Sequence, residues 1–207
     1  MRLWLLAGLM VLALGTGAVA QSPSPAATPS SPDGFPSAEP LQIGDFTVQW
    51  VPMTGFTAGP EWDDLLASVG KEPDDIEHVD SVTFLPGDDG TPASADSALA
   101  MMAFRIEGVP ALDITEAFYL AALGLPIDAD LTDTSFGAEW FDHDGREVYA
   151  SNLSTLHAGS APPPEEWNPE FGVYLYPVGE VLYWVSIPWD LDAAPSLGDI
   201  LDALPPR

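Results

Sequence analysis

The 207-residue chain sets 32 acidic residues against five basic ones, for a formal net charge of −27. Phosphate binding needs a basic footprint, so nucleic acid is excluded as a partner, and anionic membrane surfaces go with it. What remains is cationic or neutral partners (a protein, peptide or saccharide) and divalent cations held weakly and without specificity, or a charge that serves solubility alone.

The chain opens as an export signal. Met1 and Arg2 form a short positive head, Leu3 to Leu14 is an apolar run, and Ala18-Val19-Ala20 is the small-x-small pattern of a cleavage site. A bilayer-spanning helix takes roughly 20 apolar residues, more than this run supplies. Residues 1–20 therefore read as a signal peptide cleaved near Ala20, and the mature chain as secreted, to the extracellular space or the cell envelope. The chain contains no cysteine, so neither a cysteine-linked lipid anchor nor a disulfide framework is available.

Residues 21–40 are Pro, Ser and Ala in the main, with Phe35 the one sizeable apolar side chain. This composition predicts a disordered linker. Residues 41–207 follow as a single acidic domain, long enough for a conventional core.

Within it, Phe46–Val51 reads as a short strand. A helix is predicted over 60–69: Pro60 suits a first helical position, Glu61, Asp63 and Asp64 suit the electropositive first turn, and Gly70 suits the stop. Ile76–Leu85 reads as a strand whose broken alternation predicts a bulge or a late start. Residues 86–97 read as a loop. Leu99–Ile106 is a cleaner strand, with Met102, Phe104 and Ile106 on one face. Asp113-Ile-Thr-Glu116 matches a capping box opening the next helix, which Gly124 and Pro126 end.

Strands near Phe136–Phe141 and Glu147–Ala150 are joined through an Asp144-Gly145 hairpin signal. Residues 157–170 form a Pro-rich loop. A last hairpin, Val173–Tyr176 and Val181–Ile187, is apolar on both faces, which predicts cover on both sides of its sheet. A helix near 195–204 closes the chain. Residues 101–123 and 182–204 both run strand, connector, helix, which suggests a hairpin-plus-helix unit used twice. The fold class expected is α+β: a mainly antiparallel sheet of about five to seven strands packed by about three helices.

Three runs, LLASVGKEPDDI from Leu65, AFRIEG from Ala103 and VYLYPVGEVL from Val173, resemble a pattern in uncharacterised secreted bacterial proteins built from a signal peptide, a Pro/Ser-rich linker and one α+β domain. The resemblance implies the domain limits and no activity.

Catalytic motifs are missing. There is no cysteine, no Gly-x-Ser-x-Gly and no His-Glu-x-x-His, and His78, His143 and His157 are scattered. No cofactor is expected. Asp142, Asp144 and Glu147 place carboxylates as a calcium loop would, but the set is incomplete and a metal-free hairpin turn is the better reading. Asp128, Asp130 and Asp133 are similarly incomplete.

Arg105, inside a strand in a chain nearly without cations, reads either as an anchor for a ligand carboxylate or as an internal ion-pair partner. Tyr174, Tyr176, Tyr183, Trp184 and Trp189 read either as a groove for sugar or peptide or as core. The function expected is a non-enzymatic binding domain. The alternative is a hydrolase-type enzyme whose site assembles only in space. A deep pocket holding Arg105 or a histidine beside a carboxylate would favour the enzyme; a broad exposed aromatic patch would favour binding.

Overall fold

The computed structural model describes residues 35–36, 39–52, 60–84, 98–129, 138–151, 172–187 and 194–206. The expected signal peptide, most of the linker and the loops at 86–97 and 157–170 lie outside them, as do His157, Trp189 and most of the Asp128–Asp133 segment.

The chain is α+β. Strands β1 (Leu41–Ile43) and β2 (Phe46–Val48) form a small hairpin, and β3 (Val51–Pro52) follows. Helix α1 (Pro60–Ser68) and a 3-10 turn at Pro73–Asp75 lead into β4 (Ile76–Phe84) and β5 (Ala98–Ile106). Helix α2 (Ala111–Ala122) precedes β6 (Ala138–His143) and β7 (Arg146–Ser151). Strands β8 (Gly172–Val178) and β9 (Val181–Ile187) and helix α3 (Leu197–Ala203) complete it. Among the described residues the main sheet has seven strands, all antiparallel, in the order β3-β4-β5-β9-β8-β7-β6.

Period-two alternation divides this sheet between two cores. On one face Phe104 and Ile106 of β5, Leu182 and Trp184 of β9, Leu175 of β8 and Tyr149 of β7 lie under α1 and α2. On the other, Met101, Ala103, Tyr183, Val185, Tyr174, Tyr176 and Val148 lie under the β1–β2 hairpin and α3. The apolar character of β8 and β9 on both faces is explained: every residue of β8 is buried, and they sit near the centre of a sheet covered twice.

Several expectations change. The Phe46–Val51 strand is divided, because Trp50 turns into the core at 5% exposure and only Val51–Pro52 joins the main sheet. Strand β4 has no bulge: its register with β5 is continuous from Ile76↔Ile106 to Phe84↔Ala98. Its mixed pattern arises because His78 and Asp80, polar residues, occupy inward positions beneath the helical layer.

Helix α2 opens two residues before the expected box. Pro110 is its N-cap, and the first amide, Ala111 N–H, is taken by the Gly179 carbonyl at 2.8 Å in the β8–β9 turn. Asp113 thus falls inside the first turn. A capping box opens α3 instead, where Ser196 and Asp199 bond reciprocally.

The two strand-then-helix units are not packed alike either, since α2 and α3 cover opposite faces. Phe35, assigned to the linker, packs against the second core. Among the described residues no helix is long and apolar enough to cross a membrane.

Candidate functional site

A groove of about 490 Å³ lies between the first half of α2 and the β6–β7 hairpin, lined by Leu112, Asp113, Glu116, Trp140 and Glu147. Helical spacing puts Leu112, Asp113 and Glu116 on the outer side of α2, one turn apart. All three are exposed, Leu112 at 41%. Trp140 forms the floor. Its indole Nε1–H donates to Glu116 Oε1 at 2.7 Å, and its ring packs on Tyr149 with centroids 5.1 Å apart. Tyr149 in turn meets Tyr119 edge-on at 5.6 Å. The floor is therefore held in place before any ligand arrives.

The rim is negative. Besides Asp113, Glu116 and Glu147, Asp142 stands directly across β6–β7 from Glu147. Like charges opposed on one face of a sheet repel. The same field reaches the floor: burial first, and then the Glu116 carboxylate, push the Tyr149 hydroxyl up to about 12. An apolar and aromatic floor under a carboxylate rim suits an organic cation, whose charge meets the rim while its hydrocarbon part covers the ring.

The residues singled out from sequence go elsewhere. Arg105 pairs with Glu77, its cross-strand neighbour, at 2.5 Å and lies over the Phe35 ring, so its guanidinium serves the fold's own groups. Tyr174 and Tyr176 are 1% and 0% exposed in one core, and Trp184 is 8% exposed in the other. Adjacent strand positions point to opposite faces, so these three do not line a common groove.

At the hairpin, Asp142 Oδ1 accepts the Gly145 N–H at 3.0 Å, and Asp144 and Gly145 take φ of 52° and 83°. That is a two-residue turn with positive φ at both central positions, the geometry Asp-Gly favours. The turn places Glu147 at the groove and Asp142 across the strand pair from it, rather than around a common centre. Among the described residues no three His, Asp or Glu side chains are placed to share a metal ion.

One histidine does stand beside a carboxylate. His78 Nε2 contacts Asp80 Oδ1, with side chains 10% and 6% exposed. The imidazole stacks on Phe104 at 4.3 Å and 9°, beneath the aromatic cluster of Trp62 and Phe118. The next hydroxyl along the strand, Ser81, is buried on the opposite face. This pair is enclosed in the core rather than presented in a cleft.

Sequence reasoning missed Trp140 and Glu116 as partners. They are 24 residues apart, and Glu116 was accounted for as a cap. The available signal was Leu112 beside Asp113, an apolar residue on a helix face otherwise acidic. Compared with known proteins, the chain matches no family model, no curated protein and no solved structure.

Proposed function

We propose that this chain is an exported, non-enzymatic binding domain of the extracellular space or cell envelope, and that it takes a cationic ligand in the groove between α2 and the β6–β7 hairpin. The observation that carries the reading is Trp140, fixed by Glu116 and Tyr149 at the bottom of an acidic rim beside the exposed Leu112. A net charge of −27 steers cations toward any such concavity and repels anions. Lysine- or arginine-bearing peptides fit best, because their side chains combine a charged end with an apolar stem.

The test is calorimetric titration with the tetrapeptide amide Lys-Leu-Lys-Leu. Saturable binding is expected, weakened at least tenfold in the Asp113→Asn/Glu116→Gln double variant and reduced by added salt. Absence of saturable binding, or equal affinity for the double variant, would overturn the groove as the site.

A further inference from the structure

Among the described residues the strand that carries Trp140 ends the sheet. Among the described residues no strand pairs with the outer side of β6. The opposite end of the sheet is the two-residue β3, where Pro52 offers no N–H. Strand β6 is six residues long and free of proline, and Glu139 and Asp142 are exposed on it.

The turn geometry says which of its backbone groups face outward. A two-residue hairpin loop closes on a hydrogen-bonded pair, and bonded and non-bonded pairs alternate from there. With Asp144-Gly145 as the loop, His143↔Arg146, Phe141↔Val148 and Glu139↔Ala150 are the bonded pairs. The amides and carbonyls of Ala138, Trp140 and Asp142 therefore point away from β7, toward the open edge. These three residues also share one face, the face of the acidic groove, where Ala138 and Trp140 pack with α2's core.

We propose that the outer edge of β6 is completed by an extended basic peptide, added as an eighth antiparallel strand. This rests on the groove reading and extends it from a side-chain site to a backbone one. Residues directly opposed in an antiparallel pair share a face. The peptide residues opposite Trp140 and Asp142 thus bond their own backbone to β6 and send their side chains over the acidic groove. Those residues are the basic ones. A lysine opposite Asp142 also meets an opposite charge directly across the added pair. The alternate residues face the other side, beside Glu139, Phe141 and His143, and their amides point to solvent. A second copy of this chain is a poor occupant, since it would set the acidic edge against itself with 27 net negative charges on each partner.

The register makes the test specific. The probe is the octapeptide (Lys-Val)4, with two variants: one N-methylated at every lysine amide, the other at every valine amide. Methylation at lysine is expected to weaken binding more than tenfold, and methylation at valine less than threefold. On the ¹⁵N-labelled protein, hydrogen exchange should slow at the Trp140 and Asp142 amides and stay unchanged at Phe141 and His143. Equal affinity for both methylated peptides, with binding still weakened at least tenfold in Asp113→Asn/Glu116→Gln, would overturn the added strand and leave the groove standing. No binding of the parent peptide would overturn both. Sedimentation showing a dimer that slows the same two amides would assign the edge to a second copy and overturn the peptide.

Discussion

The Arg105 guanidinium lies 4.9 Å from the centre of the Phe35 ring while its Nη2 reaches Glu77 Oε2 at 2.5 Å. The side chain is a clamp between the segment that precedes β1 and the β4–β5 ladder. Glu77 is half exposed, so the ion pair by itself contributes little; the aromatic contact and the packing of Phe35 on the core are the larger share.

It follows that Phe35 ties the segment before β1 to the domain. Phe35→Ala should lower stability by about 1–2 kcal/mol, from lost burial and the lost cation–π contact. Deleting residues 21–34 should leave the denaturant midpoint unchanged. Chemical denaturation of both variants checks this; equal midpoints for Phe35→Ala and the parent would show the contact to be dispensable.

Tyr119 and Ser151 share a hydroxyl–hydroxyl hydrogen bond in the core, 32 residues apart and 0% and 2% exposed. Tyr119→Phe strands the serine hydroxyl without water and should cost about 1–3 kcal/mol. Adding Ser151→Ala should recover part of that loss, because the orphaned group goes with it. A double-mutant cycle in urea measures the recovery; strictly additive losses would refute the coupling.

Alkaline stability should fall in a defined window. Tyr149 is pushed from 10 to about 12, by burial and then by Glu116. Burial pushes up Tyr119 and Tyr183 as well. A raised folded pKa means that the unfolded chain loses its protons first. The stability these neutral tyrosines support is complete below pH 10 and is lost as pH rises from there toward 12 and beyond. The loss is about 1.4 kcal/mol per pH unit for each tyrosine. Absorbance at 295 nm should show their ionisation coinciding with the loss of far-ultraviolet dichroism. Ionisation near 10 in a still-folded chain would contradict it.

What the sequence determined by itself was local. Asp144-Gly145 dictates its turn because only certain residues accept positive φ, and the tyrosine- and valine-rich run at 172–187 dictates a strand pair covered on both faces. The helices at 60–68, 111–122 and 197–203 follow from apolar spacing and from the residues that end them. Even so, the position of the α2 cap was decided by Gly179, a turn distant in sequence that supplies the carbonyl for Ala111.

The tertiary structure alone placed β5 against β9, sent Tyr174 and Trp184 into separate cores, closed Arg105 onto Glu77, and brought Trp140 of β6 beside Glu116. Periodicity says that a strand has two faces; it does not say which helix covers each one, or which strand is left without a neighbour. Those choices are made by burial summed over the whole sheet and by the entropy of closing long connections. No window of sequence contains either quantity.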